Sequence, residues 1–229
     1  MTEPNINLTK HMGIFGFTGS GKSMKAGWMF EQLRKQKRSF VLFDTKVKNH
    51  VGLCQMKGVT LLQIKPGKTY NWKQALKASK YIVATPVKET KRSDLIAQYE
   101  KFAEIIFQTE DPRTLGIEEA HLWNPSGNVA NEILENIIRE GRAYNQNLIC
   151  IDQRIQSFPK DLWSQCTTSV ICKMGIPQDI EYLTRLIPDF AEQNLAIPRY
   201  GALIYDHETG QITGTLHPDQ IHRITKHYG

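Results

Sequence analysis

Short apolar runs alternate with amphipathic stretches along most of the chain. The apolar runs are bounded by Gly, Pro or polar residues and are typical of buried strands. They lie at residues 12–17, 39–44, 59–64, 81–85, 114–118, 148–152, 169–173 and 202–205. Because strands that alternate with helices form parallel sheets with right-handed crossovers, this pattern predicts a three-layer α/β fold with a mainly parallel central sheet.

The intervening stretches place apolar residues every three or four positions, as one face of a helix does. In the clearest case, 93–108, Ser93 is the expected N-cap and one face holds Leu95, Tyr99, Phe102 and Ile106. Further helices are predicted at residues 22–34, 128–140 and 178–187, with Val129, Ile133 and Ile137 on one face of the second. Segment 47–79 has the weakest pattern.

The end of the sequence predicts a hairpin rather than another crossover. Residues 210–216 are expected to pair with 202–205 through a turn at 207–210. We therefore expect a single domain over 1–229, with a core at about 12–205 and a C-terminal hairpin and tail at 206–229.

Composition narrows the class of protein. The 229 residues are 40% hydrophobic and 23% charged, which excludes wholesale disorder. No apolar window is long enough to span a membrane, and residues 1–10 do not form a secretory signal, so a cytosolic type of protein is expected. The four cysteines lack metal-ligand spacing and are expected to be isolated buried thiols, and the five-residue spacing of His217, His222 and His227 does not favour a metal site.

Positive charge is concentrated in one stretch. The net charge is +6, yet residues 46–92 hold eleven Lys or Arg against the single acid Glu89. This stretch carries +10 and the rest of the chain −4. Such a field favours a polyanionic partner, nucleic acid first, and the alternative is a solvated lysine surface.

Residues 16–23, GFTGSGKS, fit the phosphate-binding pattern G-x-x-x-x-G-K-[ST] in full, after an apolar run and before a helix. The glycines let backbone N–H groups turn inward around phosphates, and the following helix presents its positive N-terminus to them. We predict ATP binding, with Lys22 at the β- and γ-phosphates and the Ser23 hydroxyl as a ligand of Mg²⁺. The predicted nucleotide-binding residues are Gly16, Thr18, Gly19, Ser20, Gly21, Lys22 and Ser23.

Hydrolysis requires carboxylates at the end of a second strand. In LGIEEAH, Glu118 is the candidate metal ligand and Glu119 the candidate general base for the attacking water. The alternative is a surface turn with two solvated acids. Asp44 is the rival candidate. It would be the metal ligand if its strand lay beside the phosphate-loop strand, as in many nucleotide kinases.

The segment 139–154, REGRAYNQNLICIDQR, adds two candidates. Gln153, at the tip of a buried strand, can bridge the γ-phosphate and the water, and Arg142 can reach across a subunit boundary to the transferred phosphoryl group. For each arginine in this segment, the alternative is a solvated side chain or a structural ion pair.

Together GFTGSGKS, IEEAH, EGRAYNQNLICIDQR and SVICKMG resemble the motifs of the FtsK–HerA superfamily of DNA-pumping ATPases, over about residues 12–175. Because only a motor core is present, the chain looks most like the small genome-packaging ATPases of membrane-containing icosahedral viruses and phages. The resemblance implies a P-loop NTPase fold of the RecA/ASCE type, Mg²⁺ and water activation by Glu118 and Glu119, γ-phosphate sensing by Gln153 and an arginine, Arg142, acting in trans. Glu118 in place of Asp and the lysine-rich stretch depart from the family pattern.

The same resemblance implies a homo-oligomeric ring of five or six subunits around DNA bound without sequence preference. Channel candidates are Arg154, Lys160 and part of the 46–92 set. A capsid vertex protein is the implied partner, and the host cytoplasm or the virion the implied location. Three alternatives stay open: a nucleotide or small-molecule kinase, a filamentous-phage-type assembly ATPase, and a capsid-associated module with nucleotide as a structural ligand.

Overall fold

The computed structural model describes residues 6–124 and 129–228. Within them the strands are β1 Met12–Phe15, β2 Phe40–Phe43, β3 Val59–Ile64, β4 Tyr81–Pro86, β5 Thr114–Glu118, β6 Asn147–Asp152, β7 Thr168–Cys172, β8 Ala202–Asp206 and β9 Gln211–Leu216. They form one nine-stranded sheet in the order β3-β4-β2-β5-β6-β1-β7-β8-β9. The pairs from β3 to β7 are parallel, while β8 and β9 add antiparallel at one edge. The predicted mainly parallel sheet and the 202–216 hairpin are confirmed.

Helices cover both faces of the sheet. They are α1 Lys22–Lys35, α2 Trp72–Ala78, α3 Arg92–Gln108, α4 Glu132–Glu140, α5 Lys160–Ser164, α6 Pro177–Thr184 and α7 Phe190–Ala196. Successive residues of β2 alternate between two cores: Phe40 and Leu42 pack with α1, whereas Val41 and Phe43 pack with α3 and α4. This alternation, which follows from the two-residue period of a strand, gives the predicted three layers.

Two helix starts differ from the prediction. Helix α3 begins at Arg92 after Lys91, which makes no side-chain cap, so Ser93 lies inside the first turn. Helix α4 begins at Glu132, where Asn131 accepts hydrogen bonds from the N–H groups of Ile133 and Leu134. Val129 precedes that helix and is 56% exposed, and the predicted start at residue 128 falls outside the described residues.

The surface carries the concentrated positive charge. All eleven basic side chains between residues 46 and 92 belong to exposed residues. The four cysteines are free, with Cys54 only half-buried, so the expectation of buried thiols fails at that position. No helix among the described residues is long and apolar enough to cross a membrane.

Candidate nucleotide-binding and hydrolysis site

The carboxyl ends of β1, β6 and β5 bring the predicted residues to one edge of the sheet. The phosphate loop follows β1, Gln153 follows β6, and Glu119 follows β5. Because β6 lies between β1 and β5, the acids face the loop across two strand spacings, roughly 10 Å. That gap has room for a terminal phosphate and a metal ion.

Asp44 does not occupy the position that a kinase-type site requires. Its strand, β2, is separated from β1 by both β5 and β6. The Asp44 carboxylate instead accepts hydrogen bonds from the backbone N–H groups of Lys46 and His50, at 2.9 and 2.8 Å. Burial raises its pKa to about 6. The rival assignment of Asp44 as the metal ligand is therefore wrong, and its role is to shape the loop after β2.

The phosphate loop has the backbone that its glycines permit. Gly19 and Gly21 have φ angles of 84° and 90°, in the left-handed region that other residues rarely adopt. Gly21 is the N-cap of α1, so the helix N-terminus opens toward the loop. Lys22 donates from Nζ to the carbonyl oxygens of Gly16 and Phe17 at 2.6 and 3.1 Å. Burial lowers the pKa of Lys22, opposed by the nearby negative groups, Glu118 and Glu119 among them.

A cavity of about 440 Å³ lies between the phosphate loop and the acids. The phosphate loop and the start of α1 contribute Thr18, Gly19, Gly21, Lys22 and Ser23 to its lining, and the ends of β5 and β6 contribute Glu118, Glu119 and Gln153. The predicted residue Ser20 is buried and does not line the cavity. The lining of this cavity thus brings together most of the predicted nucleotide-binding, metal-binding and catalytic residues.

Glu119 lies at a strained turn and is held by a chain of hydrogen bonds. Its φ of 50° is uncommon for a residue with a side chain, and such strain is often found at functional sites. Gln153 donates from Nε2 to both carboxylate oxygens, at 2.8 and 3.0 Å. The side-chain oxygen Oε1 of Gln153 accepts from Thr18 Oγ1 at 2.8 Å, so one side chain connects the phosphate loop to the candidate base. Lys46 Nζ lies 3.7 Å from Glu119 Oε1.

Glu118 is buried in a contact that the sequence did not predict. Its Oε1 lies 2.5 Å from His50 Nε2 and accepts from Asn49 Nδ2 at 3.3 Å. Burial alone would raise the pKa of Glu118, but the His50 hydrogen bond and the charges of His50, Lys46 and Lys22 hold it below its usual value. Burial likewise opposes charge on His50, yet Glu118 and Asp44 raise the pKa of its ring. The two side chains therefore form a buried ion pair.

Asp152, at the end of β6, organises the turns on either side of it. Its carboxylate accepts from the backbone N–H groups of His121 and Gln153, both at 2.6 Å. It also contacts His121 Nδ1 at 3.0 Å, and that hydrogen bond is the main reason that the pKa of His121 is raised. Asp152 is thus a positioning residue that the sequence analysis did not identify. Its place directly before Gln153 was the signal that could have indicated it.

The basic candidates lie in two different places. Arg142 is exposed in the 3₁₀ helix Gly141–Tyr144, which precedes β6 and lies at the opposite edge from the nucleotide cavity. Six residues of β6 separate the two edges by roughly 20 Å, so Arg142 does not reach the site of its own subunit. Arg154 pairs with Asp179 at 2.7 Å, and Lys160 is exposed at the start of α5.

The side chains fit Mg²⁺ bound together with a nucleotide. Among the described residues, the hydrogen bonds that Glu118 accepts both end on Oε1, which leaves Oε2 for a metal or its water. Ser23 lies across the same cavity. Since Mg²⁺ usually takes one or two protein ligands beside phosphates and waters, these two oxygens are sufficient.

Comparisons with known proteins relate part of the chain to HerA helicases. The family model described as "Helicase HerA, central domain" matches residues 4–46, which contain β1, the phosphate loop and β2. The DNA double-strand break repair helicase HerA of Pyrococcus furiosus is 35% identical over 71 residues. Around its phosphate loop the chain is therefore similar to HerA helicases, which are members of the FtsK–HerA superfamily.

The matches to HerA helicases cover a limited share of each chain. The Pyrococcus match covers 30% of this chain and 13% of that protein. A probable HerA helicase of Methanocaldococcus jannaschii is 35% identical over 83 residues, covering 35% of this chain and 16% of its own. The matched region is thus a small part of those helicases.

Solved structures match this chain over nearly its whole length. The genome packaging NTPase B204 from Sulfolobus turreted icosahedral virus 2, in complex with ATP-gammaS, aligns with a TM-score of 0.69 at 16% identity, covering 93% of this chain and 99% of that one. VirB4 of Thermoanaerobacter pseudethanolicus aligns with a TM-score of 0.66 at 13% identity, covering 95% and 94%. At these identities the matches establish a shared P-loop ATPase fold.

Proposed function

We propose that this protein is an ATPase of the FtsK–HerA superfamily that translocates DNA and packages a viral genome into a preformed capsid. The proposal includes a single ATPase domain over residues 1–229, a homo-oligomeric ring of five or six subunits, Mg²⁺ as the metal, and DNA bound without sequence preference. A capsid vertex protein would be its docking partner, and it would act in the host cytoplasm or at the virion vertex. The alignment of the genome packaging NTPase B204 over 93% of this chain supports a packaging motor.

The observation that carries the DNA assignment is a second cavity that shares residues with the nucleotide site. This cavity, of about 600 Å³, is lined by Lys46, Lys88, Arg92 and Arg154. Glu119 and Gln153 line both cavities, as does Lys46. A polyanion bound in the second cavity would therefore lie directly beside the candidate base and its hydrogen-bond partner.

The geometry supports hydrolysis by an activated water. Lys22 would face the β- and γ-phosphates, and the metal held by Ser23 and Glu118 would neutralise their charge. A water beside Glu119 would attack the γ-phosphorus as the bond to the β-phosphate oxygen breaks. Its proton passes to the Glu119 carboxylate, and ADP and phosphate are the products. Gln153 would orient that water while holding Glu119, and Arg142 of a neighbouring subunit would stabilise the transferred phosphoryl group.

Stimulation of ATP hydrolysis by DNA tests the function. We expect duplex DNA of mixed sequence to raise the hydrolysis rate, and the stimulation to weaken steeply with salt because phosphate contacts release counterions. The variant K88A/R92A should lose most of the ratio of stimulated to basal rate. The matched control K73A/K77A removes two exposed lysines of α2, in the same lysine-rich stretch but outside the cavity.

Three outcomes would contradict the proposal. Equal stimulation in both double variants would remove the second cavity from the DNA path. Transfer of phosphate to a small acceptor, with no response to DNA, would favour a kinase. Nucleotide binding without turnover would favour a structural ligand.

A further inference from the structure

Residues 223–228, which we call the strap, pack across the phosphate-loop helix α1. They are attached to it by hydrogen bonds to a buried carboxylate. Glu31 of α1 is 0% exposed. It accepts hydrogen bonds from Arg223 Nε at 3.2 Å, from the N–H groups of Ile224 and Thr225 at 2.9 and 3.1 Å, and from Thr225 Oγ1 at 2.5 Å. Three consecutive residues of the strap are therefore fixed to the helix that begins at the nucleotide site.

Two glycines make room for the strap, because a side chain at either position would clash with it. A Cβ on Gly27 of α1 would lie 2.4 Å from the Arg223 guanidinium. A Cβ on Gly52 would lie 1.8 Å from the carbonyl oxygen of Lys226, whose N–H donates to Gln55 Oε1 at 3.1 Å. The strap thus joins α1 to the 3₁₀ helix Val51–Gln55, which follows His50.

The strap ends at the nucleotide cavity. His227 lines this cavity together with Lys22, Ser23, Lys46, Asn49 and Glu118. In the part of the chain that the structure describes, its Nδ1 is buried without a hydrogen-bond partner. Burial lowers the pKa of the ring to about 4, and the positive charges of Arg223, His50 and Lys46 contribute. The ring is therefore neutral at pH 7, with one N–H to donate.

We propose that the strap is a built wall of the nucleotide site and that His227 donates a hydrogen bond to a terminal phosphate oxygen of bound ATP. The terminal phosphates are favoured over the base and ribose because Lys46 and Glu118 line the same cavity and lie close enough for their charges to act on the His227 ring. The strap is anchored at Glu31 independently of any ligand, so the ring is placed before the nucleotide arrives. The inference depends on the chain being an ATPase and is independent of DNA translocation.

Nucleotide affinity of the intact chain, measured by calorimetry without DNA, tests this assignment. The variant H227A should bind ATP-gammaS about threefold to tenfold more weakly than wild type, as expected for the loss of one hydrogen bond. Its affinity for AMP should be unchanged. The matched control H222A, an exposed histidine of the neighbouring segment outside the cavity, should bind both nucleotides as wild type does. Equal ATP-gammaS affinity in H227A and wild type, or an equal loss for AMP, would overturn the assignment.

Hydrogen exchange provides a second readout that a merely structural role would not give. ATP-gammaS should slow exchange of the strap amides in wild type, because the bound ligand stabilises the closed segment. The same addition should have less effect in H227A. The variant T225V, which removes one bond to Glu31, should exchange faster without nucleotide. Strap amides that ignore the nucleotide in wild type would refute the contact. Because no DNA is present, that failure is distinct from a failure of the translocase proposal.

Discussion

Replacement of His50 by leucine is predicted to destabilise the protein because it leaves the Glu118 carboxylate buried without its counter-charge. His50 is 0% and Glu118 3% exposed, and their polar atoms are 2.5 Å apart. Removing one partner of such a pair usually costs about 3–5 kcal/mol, whereas replacing both by apolar residues is often neutral or stabilising. The free energy of unfolding should therefore fall by about that amount in H50L and recover in H50L/E118L.

The loss is large against the total stability of a domain. Native domains have unfolding free energies of about 5–15 kcal/mol, so H50L would lose a substantial share. For a chain of this size, each kcal/mol moves the melting temperature by about 2–4 °C, which corresponds to a decrease of roughly 6–20 °C. The control N49A loses a neutral donor to the same Glu118 oxygen and should cost only about 1 kcal/mol.

The two pKa shifts fix the pH at which to measure the pair. The pKa of His50 is raised, so its contribution is complete below its ordinary value of 6.5 and is lost as the pH rises through the raised pKa. The pKa of Glu118 is lowered, so its contribution is complete above 4.5 and is lost as the pH falls through the lowered pKa. Both contributions to stability are therefore present between pH 4.5 and 6.5, the ordinary pKa values of the two groups.

Urea denaturation at pH 6, without nucleotide, gives the coupling energy of the pair from H50L, E118L and the double variant. We expect coupling of about 3 kcal/mol or more. Additive effects of the two single variants, or a loss in H50L no larger than in N49A, would refute the ion pair.

Three further predictions concern turnover and pH. Q153A should reduce turnover roughly 100-fold through misplacement of the base while ATP affinity changes little, and equal turnover in a single-turnover assay would remove Gln153 from the mechanism. R142A should lose about 10³–10⁵ in rate and keep ATP affinity, and mixing it with K22A should restore activity above either variant alone; no gain on mixing would count against action in trans. His11 accepts the N–H of Leu148 on Nδ1, and burial lowers its pKa from 6.5 to about 4. Stability from neutral His11 should thus decrease by about 3 kcal/mol as the pH falls from 6.5 to 4, and H11N, whose Oδ1 can still accept, should lose less in urea titrations at the two pH values.

Local signals predicted the parts of the fold that depend on local sequence. The bounds of β3 and β5 were predicted to the residue, because the apolar residues of a buried strand follow one another in the sequence. The glycine-rich loop was predictable because all the residues of the phosphate-binding pattern lie within eight consecutive positions. Helix α4 was less accurate since Val129 continues the apolar spacing, although Asn131 caps the helix two residues later.

Contacts between distant residues were the part that the sequence could not supply. His50 and Glu118 are 68 positions apart, and their pairing depends on β2 and β5 lying side by side. Nothing near His50 distinguishes it from the basic residues around it. The anchoring of the strap at Glu31 is longer still, spanning 192 to 194 positions. Asp152 was easier to predict from the sequence, because it directly precedes the candidate residue Gln153 and accepts the hydrogen bond of its N–H.

Single-turnover hydrolysis by E119Q is the most direct test of the central claim, that Glu119 activates water beside a triphosphate held by the loop at residues 16–23. With ATP and Mg²⁺ in the absence of DNA, the variant should bind ATP-gammaS as wild type does and hydrolyse ATP at least about 100-fold more slowly. The exposed-residue control E89Q should match wild type in both measurements. Wild-type hydrolysis by E119Q would contradict the account.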